Sequence, residues 1–155
     1  MATIKWTQKM SVGVPELDDD HQGLLAVINE LAAQSEGDAD AAAMRRTVNW
    51  LLRYAQTHFA REHAVMTSCG FPMLSAHIDE HRRFVERVQQ AIAALDSDPK
   101  GAAVDIRDNL LSYLQRWWRQ HILREDMKYR PFAEQNLRHA RRAAQEVRGY
   151  EIWWT

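Results

Sequence analysis

Four long amphipathic stretches, each closed by glycine, proline or a polar turn, leave this chain few folds to choose from. Gly13-Val14-Pro15 ends an extended N-terminal arm, and Asp18 stands where it can cap a helix from about Asp19 to Gln34. Leu24, Leu25, Ile28 and Leu31 recur in it at helical spacing. Ser35-Glu36-Gly37-Asp38 breaks the run. A second stretch, from about Ala39 to Thr67, carries Val48, Leu51, Leu52, Ala55 and Phe59 on one side. Cys69-Gly70-Phe71-Pro72 closes it, with glycine suited to a helix end and proline to the next start. The third runs from about Met73 to Leu95 through Ile78, Phe84, Val85, Val88 and Ile92, and the turn Asp96 to Gly101 follows. The fourth runs from about Ala102 to Tyr129, and Pro131 limits it. No segment sustains the period-two alternation of a strand.

Helices joined by short loops predict an all-α fold, an up-down-up-down antiparallel four-helix bundle with an N-terminal arm, over residues 1–130. Residues 131–155 differ in composition. Arg138, Arg141, Arg142 and Arg148 precede the ending Tyr150-Glu151-Ile152-Trp153-Trp154-Thr155. This reads as a short helical extension with an aromatic tail, packed on the bundle or facing a protein partner.

Composition excludes several classes. A length of 155 residues suits one domain with its own core. Its 20 basic and 21 acidic side chains nearly cancel, so no basic field holds nucleic acid. Nowhere do about 18 apolar residues run together, which argues against a membrane span, and the first residues lack the apolar run of a signal peptide. The expected location is the cytoplasm. The single cysteine, Cys69, excludes an internal disulfide framework and a cysteine-based zinc site.

The chemistry lies in where the histidines fall. His21 sits early on the first helix, His58 and Glu62 four apart on the second, and His77 and His81 four apart on the third. His121 lies on the fourth, with Glu125 and Asp126 just after it. Residues four apart are offset by only about 40° and share a helix face. One lone helical histidine is usually a surface or hydrogen-bonded core residue, but five spread over all four helices of one bundle point to a metal site on its axis. Two further histidines have plainer readings. His63 is about 100° round the helix from Glu62 and should face away, and His139 stands among arginines and should face solvent. Five imidazoles with carboxylates exceed a structural zinc site, and calcium and magnesium prefer oxygen ligands. Iron, zinc, copper or nickel suit the donors, and two six-coordinate metals with bridging carboxylates would use them all. The chain has no Glu-x-x-His, the pair usual in di-iron oxidases. A histidine-rich shell therefore favours reversible oxygen binding over oxygen activation.

The pattern resembles the hemerythrin family in its single-domain bacterial form. The resemblance covers roughly Trp6 to Tyr129. It is carried by Val12-Gly13-Val14, Asp18-x-x-His21-Gln22, His58-Phe59-x-x-Glu62, Met66, Gly70-Phe71-Pro72, His77-x-x-x-His81 and Trp117-x-x-x-His121-Ile122-x-x-x-Asp126-x-x-Tyr129. It implies two iron ions per chain, one on His77, His81 and His121. The other iron would take His21 and His58 and keep an open position for dioxygen. Glu62 and Asp126 would bridge them, with an oxo or hydroxo oxygen as third bridge. Spacing alone would choose Glu125 as partner of His121. The resemblance chooses Asp126, five residues on and about 140° round an ideal helix. It also marks Phe59, Trp117 and Leu123 as lining of the oxygen pocket. Where many relatives carry a second acid after the bridging glutamate, this chain carries His63.

The expected function is reversible dioxygen binding for storage, delivery or buffering, by a protein that is not an enzyme. Two alternatives belong to other classes. One is an oxygen or redox sensor acting through a partner at the C-terminal tail, and the other is a di-iron protein consuming peroxide or nitric oxide. Neither a flavin nor a nucleotide motif is visible, so any electron donor would be external.

Overall fold

Proline at the head of the first helix sets where the bundle begins. In the computed structural model, which describes residues 3–34, 37, 39–148 and 153–154, α1 spans Pro15–Ala33 with Pro15 in its first position. Proline has no N–H to lose there and its fixed φ fits the helix. The helix thus starts four residues before the expected Asp19, and Asp18 is not its cap. Inside the first turn, Asp18 instead accepts from the Val12 N–H at 2.9 Å and the Ser11 hydroxyl at 2.6 Å, tying the arm to the bundle.

α2 (Ala41–Ser68) is capped by Asp40, which accepts from the Ala42 N–H. Its far end is a Schellman turn. Gly70 takes φ +67°, the Phe71 N–H reaches the Met66 carbonyl and the Gly70 N–H reaches that of Thr67. α3 (Leu74–Ser97) and α4 (Ala103–Trp117) complete an all-α four-helix bundle in which α1, α2, α3 and α4 pack in sequence and α4 returns to α1. Of the expected break over 35–38 only Gly37 is described. Ser35, Glu36 and Asp38 lie outside the described residues, as do 1–2, 149–152 and Thr155.

Two expectations need correction. The fourth helix does not run on as an α-helix to Tyr129: from Trp118 to Glu125 the backbone is π-helical, and Asp126–Lys128 is a 3-10 turn. The extension is two helices rather than one, α5 (Arg130–Gln135) and α6 (Leu137–Glu146), parted at Asn136. Pro131 stops nothing here; it occupies an early position of α5. α6 lies against α2 and α1 through buried Ala140 and Ala144.

Two apolar clusters fill the interior. The larger holds Leu24, Ile28, Leu51, Ala55, Phe59, Phe84, Val88, Leu114 and Trp118. The smaller, beneath the extension, holds Val12, Leu17, Val65, Met66, Phe71, Tyr129, Ala140 and Ala144. His21 lies between Leu17 and Leu24 along α1, and Glu62 between Phe59 and Val65 along α2, so a polar layer separates the two. Trp118 is the largest fully buried side chain, with its ring against Trp6 and His21. Trp118→Ala should cost ~3–5 kcal/mol of metal-free stability, read by urea unfolding. A loss under ~1 kcal/mol would mean that the site collapses around the gap. No helix among the described residues is long and apolar enough to cross a membrane.

Candidate metal centre

The polar layer gathers all seven side chains singled out by spacing and resemblance. His21 comes from α1, His58 and Glu62 from α2, His77 and His81 from α3, His121 from the π-helical segment and Asp126 from the 3-10 turn, and all are buried. They form two groups able to hold a metal ion: His77, His81, His121 and Asp126 in one, His21, His58 and Glu62 in the other.

The carboxylates face both groups. Asp126 turns Oδ1 to His77 Nε2 at 2.9 Å and His121 Nε2 at 3.0 Å, and Oδ2 to His21 Nε2 at 3.2 Å. Glu62 sets Oε1 2.5 Å from His58 Nε2, and Oε2 3.6 Å from His77 Nε2. Each acid thereby divides its two oxygens between the two groups.

The π-helical segment explains the five-residue interval. The Asp126 N–H donates to the His121 carbonyl, the i→i+5 bond of a π turn. The wider turn reduces the 140° offset of an ideal α-helix, and Asp126 Oδ1 reaches the same site as His121 Nε2. Glu125 turns outward and its Oε2 accepts from Lys128 Nζ at 2.8 Å.

Outward of these converging atoms, several imidazoles have a second partner. His58 Nδ1 lies 3.0 Å from Asp20 Oδ2, and Arg61 donates to both Asp20 oxygens at 2.6 Å. His121 Nδ1 lies 2.6 Å from Glu80 Oε2. His63 does not face away: its Nε2 stands 2.7 Å from His81 Nδ1 with the two rings stacked. A 100° rotation from Glu62 points away from the axis but into α3, which packs along that side of α2. Burial pushes the His63 ring down to about 4. His139 is exposed.

Aromatic rings back the imidazoles. Phe59 stacks on His81 and Trp117 on His121, each at 3.8 Å, while Tyr54 stacks on His58 at 4.8 Å. Leu123 is half-buried against the larger cluster. Asp20, Tyr54, Glu80 and Trp118 carry no local sequence signal. Asp20 and Glu80 each precede a histidine in the chain but serve one on another helix.

The model of the hemerythrin HHE cation binding domain matches residues 12–133. The chain belongs to the hemerythrin family. It is similar to the bacteriohemerythrin of Stenotrophomonas maltophilia, 28% identical over 146 residues spanning 94% of this chain and 90% of that one. It is also similar to the bacteriohemerythrin of Pseudomonas aeruginosa, at 29% over 83% of this chain and 80% of that one. A third relative is the myohemerythrin of Riftia pachyptila, at 30% over 81% and 89% respectively. The hemerythrin match ends inside α5, so α6 and the aromatic tail lie beyond it.

A hemerythrin-type di-iron centre fits the residues present. His58 Nε2, His77 Nε2, both His21 nitrogens and both oxygens of Glu62 and of Asp126 are buried and crowd together without a well-aligned hydrogen bond. Buried polar atoms left so are costly, and cations between the two groups would satisfy the converging ones. Without metal, protons do this work. Burial alone would push His21 and His77 down, but Asp126 and Glu62 beside them override it and hold each up to about 10. Burial would raise Glu62, yet His58 and its neighbours hold it well below the usual carboxylate range.

The sign of the linkage follows. Unfolded histidine titrates near about 6.5, so the raised His21 and His77 stabilise the metal-free fold fully below that pH. Their contribution is lost as pH climbs toward about 10. Metal must expel the same protons. Metal affinity should therefore rise between about pH 6 and 9 while metal-free thermal stability falls. Melting curves with calorimetric proton counting check this, and a metal-free midpoint flat across that range would remove the linkage.

Proposed function

We propose that this chain binds dioxygen reversibly at a pair of irons, for storage, delivery or buffering, and is not an enzyme. The observation that carries the reading is the division of five buried imidazoles into three and two around two shared carboxylates. His77, His81 and His121 would hold one iron and His21 and His58 the other. Glu62 and Asp126 would join both, with an oxo or hydroxo oxygen as third bridge. The two-histidine side has the smaller ligand set, so that is where dioxygen would enter. When bound, the irons supply two electrons to dioxygen and recover them on its release.

The chain's own groups do the rest. Asp20 and Glu80 keep the Nδ1 protons of His58 and His121 in place and aim Nε2 inward. Trp118 and Trp6 close the side next to His21, and Phe59, Trp117 and Leu123 supply the apolar lining that keeps water out. Leu123→Ala should hasten oxidation of the loaded protein in air; an unchanged rate takes Leu123 out of the pocket.

The test is a visible spectrum of anaerobically iron-loaded protein carrying two irons per chain. Oxygen is admitted and then removed. A band that appears and vanishes reversibly supports the carrier reading. Irreversible conversion would turn the reading to a sensor that reacts once, and steady consumption of an added reductant to a redox enzyme acting on peroxide or nitric oxide.

A further inference from the structure

His63 and the C-terminal tail have no role in the ligand set, yet they meet behind it. Ala55, Phe59 and His63 are spaced four apart and form one stripe on α2. Trp153 lies along that stripe. Its indole N–H donates to the Ala55 carbonyl at 3.1 Å, and its ring stands edge-on to Phe59 at 5.7 Å and to His63 at 4.7 Å. It also reaches His81, at 6.0 Å. His63 in turn stacks on His81, with Nε2 2.7 Å from Nδ1.

We propose that His63 is the positioning residue of His81, accepting its Nδ1–H so that Nε2 is aimed at the metal, and that Trp153 of the tail holds the His63 ring in that register. An imidazole that offers Nε2 to a metal keeps its proton on Nδ1 and needs an acceptor there. His58 and His121 have carboxylates, Asp20 and Glu80. His81 has no carboxylate there, and the neighbour within hydrogen-bond distance of its Nδ1 is His63. A neutral imidazole carries one nitrogen that accepts, so the His63 ring can serve there as the carboxylates do elsewhere. The tail, which lies beyond the family match, thereby becomes part of the metal centre.

The inference rests on the di-iron reading, and titration of the full chain with ferrous iron or cobalt(II) against a competing chelator separates the two. A native chain that binds fewer than two metal ions sinks the di-iron reading itself. With two bound, His63→Leu should weaken one equivalent by about 10-fold or more, and His63→Gln, whose amide oxygen replaces Nε2, should stay within about threefold of native. Trp153→Ala should weaken the same equivalent and add nothing in the His63→Leu background. Metal-free melts show which variants fold. If His63→Leu does not, His63→Asn, whose amide falls short of His81, replaces it in the comparison. Native affinity in His63→Leu, or equal losses in the leucine and glutamine variants, would overturn the role of His63. Additive losses with Trp153→Ala would overturn that of the tail.

Discussion

Replacing Glu62 by glutamine should end two-metal loading while leaving the helices in place. The side chain is fully buried and its two oxygens face different groups, Oε1 toward His58 and Oε2 toward His77. Glutamine keeps the volume but removes the charge and one of the two acceptor oxygens. The loss should exceed the roughly 10–100-fold cost of removing an outer partner, because the proposed ligand to both metals would be gone. Metal analysis of anaerobically loaded protein should show at most one tightly held ion per chain, with an unchanged far-UV circular dichroism spectrum. Two ions held as tightly as in the native chain would remove Glu62 from the bridge. The metal-free variant should also lose part of its proton affinity at His21 and His77, since Glu62 is one of the two acids that hold those protons.

The neighbouring acids Glu125 and Asp126 should respond oppositely to alanine. Asp126 is buried and touches His21, His77 and His121 at 3.2, 2.9 and 3.0 Å. Its removal should abolish joint binding of two metals as thoroughly as the loss of Glu62. Glu125 makes only a partly exposed pair with Lys128, the kind worth ~0–1 kcal/mol. Glu125→Ala should load two metals with native affinity and melt within a few degrees of the native chain. The contrast probes the π turn directly. On a regular α-helix the acid four residues after His121 would face the site, and the two results would exchange places.

The candidate ligand pairs on α2 and α3 were legible because four-residue spacing is a local property of an α-helix. His58 with Glu62 and His77 with His81 share a face whatever lies around them. The bundle itself was legible for a similar reason, since Gly70, Pro72 and the turn before Gly101 punctuate periodic apolar runs. Helix starts were read less well. Asp18 has the chemistry of a cap but spends it on the arm, because Pro15 had already begun the helix. The Asp126 assignment needed the resemblance, as nothing local in Trp118–Glu125 announces a wider turn.

What the sequence alone determined is therefore the four helices of the bundle, the two i,i+4 pairs of candidate ligands and the class of metal their donors suit. All of these follow from covalent spacing, helical period and donor chemistry. Only the tertiary structure decided that His63 faces His81, that Asp20 serves His58 and Glu80 serves His121, and that Trp153 returns to α2. Those partners lie 18 to 98 residues apart in the chain. No period links them, and they meet because packing fixes the rotation of each helix about its axis. The π turn belongs with them, since it brings Asp126 round to the site of His121 beside imidazoles that other helices supply.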